Sequence, residues 1–202
     1  MNNIPVREPR QKRSIEKKKR IIDAGLKLFR EKGYHDTNTK EIAEMAGVSI
    51  GAVYSYFKDK KDIYFATSEH LIDTHVQPFL EELANISKPI DIRAFVNKYI
   101  DWFINFCINS KQIINDWALM QEADPEIMQF FITHNKMLLS SLVTVLDGPN
   151  INKKNIEAKS FILTVLADEL GSEHAFGYNN IDLELLREEI VNMLTHSLTK
   201  PG

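Results

Sequence analysis

The sequence predicts an all-α fold, with an amino-terminal three-helix helix-turn-helix domain followed by a larger helical domain. Three observations lead there. Residues 42–57, IAEMAGVSIGAVYSYF, read as two short apolar-periodic helices that meet at Gly47. Charge divides along the chain, with a balance of +7 over residues 1–61 and −10 over residues 62–202. From residue 62 onward, apolar residues recur at the three- and four-residue spacing of helices.

The meeting at Gly47 has a definite geometry. Ile42, Ala43 and Ala46 share one face of the first short helix, and Val53 and Phe57 share one face of the second. Gly47 supplies the sharp turn, where a positive φ is easiest for glycine. Ser49 is placed to cap the second helix. Opposite Val53 lie Gly51, Ser55 and Lys58, flanked by Ala52 and Tyr54, a small and polar surface with one aromatic ring. A helix entering the major groove of DNA needs such a face. The same spacing also occurs in helical proteins that never meet DNA. Here the basic surroundings favour nucleic acid.

Taken in order, residues 1–13 are basic, contain two prolines and have little to bury, so a flexible arm is expected there. Ser14 is a candidate cap for a helix carrying the stripe Ile21, Ile22, Gly25, Leu28 and Phe29, which Gly33 closes. Gly25 inside that helix implies a closely packed neighbour, because glycine costs about 1 kcal/mol there relative to alanine. Asn38 and Glu41 form a capping box for the next helix. Thr39 and Lys40 fall in its first turn, where free amides, a hydroxyl and an ammonium suit a phosphate. Asp59 and Asp62 open a further helix bearing Lys60, which Pro78 kinks or ends.

The stretch IIDAGLKLFREKGYHDTNTKEIAEMAGVSIGAVYSYFKDKKDIY resembles the amino-terminal domain of the tetracycline-repressor (TetR) family. The matching positions include Ala24, Phe29, Gly33, Tyr34, Thr39, Ala43, Gly47, Val48, Ser49, Tyr54, Tyr56, Phe57 and Lys60. Gly25, Ile50 and Ala52 depart from residues common in the family, which bears on the operator sequence read. The resemblance implies a domain over residues 14–61 that binds a double-stranded, palindromic operator. It implies that residues 62–202 form an effector-binding and dimerisation domain. It also implies phosphate contacts from Thr39, Tyr56 and Lys60, with base-edge or mixed contacts from Lys40, Ile50, Gly51, Ala52, Tyr54 and Ser55. Ser49, at the head of the reading helix, completes the set.

In the larger domain, one helix covers residues 91–109 and a second segment runs from about 111 to 123. Asp124 followed by Pro125 starts another, ending near Gly148. Trp102, Phe106, Trp117, Met120, Gln121, Phe131 and His134 are the candidates for lining an effector cavity, since such sites are apolar with a few convergent polar groups. Each of them is also an ordinary core residue when taken singly. Asp116, Glu122 and Glu169 are carboxylates that suit a cationic effector or simply solvent. Helices near 157–175, with Phe161, Val165, Leu166 and Leu170, and near 182–199, with Leu183, Leu186, Ile190, Leu194 and Leu198, are amphipathic. Given the resemblance, they are expected to pair two subunits as a four-helix bundle.

Other classes of function find little support. The single cysteine, Cys107, excludes an intrachain disulfide and a multi-cysteine zinc site. No glycine-rich phosphate loop is present, and the six histidines are scattered, so neither an enzyme, nor a metal site, nor a cofactor is expected. No run reaches the roughly 18 apolar residues of a membrane span, and the amino terminus lacks a signal core, so a cytoplasmic protein is expected. The expected function is a ligand-responsive regulator, most simply a repressor released by a small molecule. The alternatives are an activator and a ligand-binding helical dimer without catalysis.

Overall fold

The computed structural model describes residues 12–199. Among them the regular structure is helical, and the one extended pairing is an isolated antiparallel bridge between Ile151 and Thr199. The helices are α1 (Lys12–Lys32), α2 (Thr39–Ala46), α3 (Ile50–Tyr56), α4 (Lys60–Leu71), α5 (Gln77–Ala84), α6 (Ile92–Ala123), α7 (Pro125–Val145), α8 (Ile156–Phe176) and α9 (Leu183–Leu198). A π-helical turn, Ile72–Val76, lies between α4 and α5. Pro78 sits in the first turn of α5, where its missing N–H costs nothing.

Contacts divide the described chain into two compact units. The first holds residues 12–76 together with 112–120, and the second holds 77–111 with 121–199. The sequence reading set its division at residue 61, and the first unit by contacts runs on to residue 76. The segment 112–120 belongs to α6 yet packs with the first unit. Just before it, Ser110 leaves helical geometry at φ −122°, ψ 16°. The helices expected over 91–109 and from about 111 to 123 thus meet at a kink at Ser110, and α6 denotes the pair.

Local sequence explains the start and stop of most elements. Asn38 caps α2 through a full capping box, Ser49 caps α3, and Asp59 caps α4. Asp124 caps α7, with Pro125 in its first turn. Gly47 ends α2 at φ 63°, and its neighbour Val48 donates its N–H back to the Ala43 carbonyl at 3.0 Å. At the amino end the expectation needs adjusting. Residues 1–11 of the expected arm lie outside the described residues, but Lys12 and Arg13 already belong to α1. Ser14 therefore does not cap that helix.

In the first unit, Ile21, Phe29, Ile42, Val53 and Ile63 are fully buried. A Cβ on Gly25 would stand 2.9 Å from Ile63 Cγ2 and 3.1 Å from Thr67 Cγ2, so the glycine lets α1 and α4 approach. Tyr64 receives the Phe29 and Tyr34 rings edge-on at 5.2 and 4.9 Å. In the second unit, Tyr99, Ile100, Leu142, Leu163, Leu170 and Leu194 belong to one core. Gly171 brings α8 against α6, since a Cβ there would lie 2.7 Å from Cys107 Sγ and 3.0 Å from the Phe103 carbonyl oxygen.

The apolar stripe read along α9 turns out to be core of a single chain. Ile190, Leu194 and Leu198 are buried in the second unit, as is Leu170 on α8. A different face of the same two helices is left open. On α8 it shows Phe161, Ile162 and Val165, and on α9 it shows Leu185 and Met193. A helix with apolar residues on two faces satisfies the spacing of either stripe, which is why periodicity alone does not separate them.

Candidate nucleic-acid interface

α3 is anchored by one face and free on the other. Val53, Tyr56 and Phe57 are buried, while Ile50 and Tyr54 keep 42% and 43% of their surface exposed. Ser49 Oγ accepts the Ala52 N–H at 3.2 Å, and Ser55 Oγ donates to the Ala52 carbonyl at 2.7 Å. Both hydroxyls are thus turned toward their own helix, and Ile50, Gly51 and Tyr54 are left as its open edge. Gly51 has ordinary helical geometry and nothing within 4 Å of where its Cβ would be. No packing requirement inside the chain calls for glycine at that position.

The first turn of α2 is more occupied than its sequence implies. Asn38 Oδ1 accepts the N–H groups of Lys40 and Glu41, each at 3.1 Å. Two of the amides expected to face a phosphate are thereby spent on the cap. Glu41 returns the bond to the Asn38 N–H at 3.1 Å and also receives Lys32 Nζ at 2.6 Å. That lysine bond, followed by the Asn38 N–H, holds the Glu41 carboxyl below the usual carboxylate range. Thr39 is half-buried, and Lys40 extends into solvent beside Glu44.

Two of the expected phosphate donors have other partners. Tyr56 is only 9% exposed, and its hydroxyl shares a 2.8 Å hydrogen bond with Ser14 Oγ. Lys60 Nζ donates to the carbonyls of Tyr34 at 2.6 Å and Thr37 at 2.8 Å, with His35 at 3.4 Å. It also lies 4.2 Å from the centroid of the Tyr34 ring. Burial pulls the pKa of this ammonium below its ordinary value, and the charges of Asp116 and Asp36 oppose that pull. The polar groups of Tyr56 and Lys60, read from the sequence as phosphate contacts, thus meet partners inside the domain in the DNA-free chain. Both polar groups are turned into the domain, because buried or half-buried donors must find partners.

Asp116 is the residue that sequence reasoning misplaced most. It is 3% exposed, and its carboxylate accepts the Tyr34 N–H at 2.6 Å, with Gln112 Nε2 at 3.4 Å. It serves the turn between α1 and α2 and not solvent. Burial raises its pKa above the ordinary carboxylate value, against the lowering effects of the Tyr34 N–H, Gln112, His35 and Lys60. An isolated aspartate in the apolar run IINDWALM is the only signal in the sequence, and it does not name a partner.

The seven effector candidates are shared between the units. Trp117 and Met120 belong to the first, where Trp117 Nε1 donates to Ser68 Oγ at 3.2 Å. Trp102, Phe106, Gln121, Phe131 and His134 belong to the second. There the rings of Phe79, Trp102 and Phe106 form a ladder, stacked at 4.5 and 5.1 Å with interplanar angles of 4° and 12°. On α7, the Phe130 ring stands edge-on to Phe131 at 5.1 Å and lies 4.2 Å from the His134 ring.

This arrangement of α1, α2 and α3 has counterparts among known proteins. Residues 21–67 match the model of the bacterial regulatory proteins of the tetR family. Residues 21–67 therefore form a TetR-type amino-terminal domain. The HTH-type transcriptional regulator HbdR of Aromatoleum sp. (strain CIB) is 40% identical over 76 residues, which are 38% of this chain and 33% of HbdR. That match spans only a third of the relative's length. The HTH-type transcriptional regulator SAB2452 of Staphylococcus aureus (strain bovine RF122 / ET3-1) is 24% identical over 79% of this chain and 97% of that protein. Among solved structures, a transcriptional regulator from Saccharomonospora viridis in complex with choline aligns with a TM-score of 0.76 at 16% identity. It covers 93% of this chain and 100% of its own, so the likeness of fold runs through both units. The match to the family model falls within the basic first unit, while the second unit carries the aromatic ladder and the open faces of α8 and α9.

Proposed function

We propose that this protein is a ligand-responsive transcriptional regulator that binds a palindromic operator as a homodimer, represses in the free state, and acts by binding and not by catalysis. The observation that carries the reading is the presentation of α3. Its inner face is fixed by Val53, Tyr56 and Phe57, while Ile50, Gly51 and Tyr54 stand open within the basic third of the chain. Ala52 and Ile50 offer methyl groups that suit thymine, and Tyr54 offers a hydroxyl to a base edge or phosphate. Thr39, Lys40, Ser49 and Ser55 complete the surface.

Pairing of two copies is supported by the open apolar faces of α8 and α9, which a second chain would cover as a four-helix arrangement. An effector is proposed to sit in the second unit against the Trp102 and Phe106 rings, with Gln121, Phe131 and His134 as further candidates in that unit. The choline complex of the S. viridis protein supports the idea that a fold of this kind holds a small molecule. Such a ligand shifts DNA affinity by its differential preference for the two states of the regulator.

Selection of duplexes from a random library, followed by fluorescence anisotropy on the winner, tests the central claim. Specific binding about 10³-fold or more tighter than to random duplex, with a steep salt dependence, is the expected result. Equal affinity for selected and random duplex removes the reading.

A further inference from the structure

Lys60 is drawn into the first unit in a way that its family position does not foretell. An ammonium has three donors, and here all three find backbone carbonyls, those of Tyr34, Thr37 and His35. These carbonyls follow the carboxyl end of α1, where the helix leaves acceptors free and the dipole favours a cation. Tyr34 is thereby held on both sides. Lys60 takes its carbonyl at 2.6 Å, and Asp116 takes its N–H at 2.6 Å.

The turn so held leads straight into α2. Thr37 Oγ1 donates to the Gly33 carbonyl at 2.7 Å, and the next residue, Asn38, caps α2 through the Lys40 and Glu41 amides. The ammonium at the head of α4, together with Asp116, therefore holds the turn that immediately precedes the Asn38 cap of α2.

We propose that Lys60 is a positioning residue for DNA binding: its ammonium locks the 34–37 turn and so orients the first turn of α2, and it makes no phosphate contact of its own. This rests on the reading of the protein as a DNA-binding regulator. The two roles leave different traces. A lysine that neutralises a phosphate releases a counterion, so its loss flattens the plot of log affinity against log salt by about 0.9. A lysine that only holds the turn leaves that slope alone and loosens residues 34–41 in the free protein.

The experiment compares wild type with Lys60→Met and Lys60→Arg. Anisotropy titrations use the selected duplex and a random duplex across a range of salt, and amide hydrogen exchange is followed in the DNA-free protein. For Lys60→Met the expected result is an affinity loss on the order of tenfold with an unchanged salt slope. Faster exchange at residues 34–41 should accompany it. Lys60→Arg keeps the charge but its planar head does not fit three converging carbonyls, so it should behave like the methionine variant. It carries the same readings if Lys60→Met does not fold. A slope lowered by about one unit with exchange unchanged overturns the proposal. So does full affinity in Lys60→Arg with exchange still fast. If wild type binds no selected duplex, the DNA-binding reading fails, and the exchange arm still decides whether Lys60 locks the turn.

Discussion

The Asp116 carboxylate accepts the Tyr34 backbone N–H at 2.6 Å across 82 positions of sequence. It does so from a segment of α6 that packs with the first unit, so the loop that leads into the helix-turn-helix is held from outside the helix-turn-helix itself. In Asp116→Ala, the Tyr34 N–H loses its acceptor in a half-buried setting. A loss of about 1–3 kcal/mol is expected in urea unfolding at neutral pH. The isosteric Asp116→Asn keeps an acceptor and isolates the charge. Burial raises the folded-state pKa of Asp116 above its unfolded value. The folded state thus binds more protons between the two, and the stability contributed by the acid form is lost as pH rises through the folded pKa. As pH is lowered toward the unfolded value, wild type should therefore gain stability relative to Asp116→Asn. A gap that is constant with pH, or that moves against wild type, contradicts this assignment.

Gly25 and Gly51 both lie in helices without a left-handed φ, yet alanine should act on them in opposite directions. At Gly25 the new Cβ meets Ile63 Cγ2 at 2.9 Å, and Ile63 is fully buried with no room to yield. Overpacking outweighs the gain in helix propensity, and a net loss of about 1–2 kcal/mol is expected from urea midpoints. At Gly51 the Cβ meets nothing, so Gly51→Ala should leave the fold unharmed or stabilise it by up to about 1 kcal/mol. Its cost should fall on DNA affinity, because the exposed backbone there is the feature that glycine preserves. A Gly51→Ala protein that is more stable and binds the selected duplex undiminished would show that this edge does not approach DNA closely.

Local chemistry was legible where a signal and its consequence lie within a few residues. Asn38 with Glu41, Gly47, Ser49, Asp59 and the Asp124-Pro125 pair each name their own structural role, because a cap or a turn is decided by the chain on either side of it. What was not legible depends on partners far away in sequence. Lys60 reads as a surface cation until the carbonyls of residues 34–37 are folded beneath it. Asp116 reads as a solvated carboxylate until Tyr34 arrives. α9 carries apolar residues on two faces, and only packing tells which face is core. The short α5 escaped notice because the proline inside its first turn reads as a stop signal.

Cys107 should be inert in the native protein. Burial, and then the charge of Asp168, push its thiol pKa up to about 12, so almost no thiolate exists at pH 8. Its side chain also sits against Gly171 in the contact between α6 and α8. Reaction with a disulfide reagent at pH 8 should therefore be negligible without denaturant and complete in concentrated urea. The native rate should rise with urea in step with opening of the second unit. Rapid labelling of the native protein would mean that α8 leaves α6 on its own.

Met193 and Leu194 are neighbours on α9 with opposite surroundings, and they offer the sharpest test of the proposed pairing. Leu194 is buried in the core of its own chain, whereas Met193 faces outward, together with Leu185 on the same helix and Phe161 on α8, exposed at 59% and 58%. Leu194→Glu places a carboxylate among apolar side chains with no partner, and should unfold the second unit at a cost of several kcal/mol. Met193→Glu and Phe161→Glu should leave the helical circular-dichroism signal intact. If the α8 and α9 faces join two copies, each of these variants buries a charge at the subunit contact, and sedimentation should show a shift from dimer to monomer at micromolar concentration. DNA affinity should fall with it, since a monomer holds one half-site and loses the effective concentration that a dimer supplies for the second. A Phe161→Glu protein that still sediments as a dimer would place the subunit contact elsewhere. A wild-type protein that sediments as a monomer would leave the open faces without the occupant proposed for them.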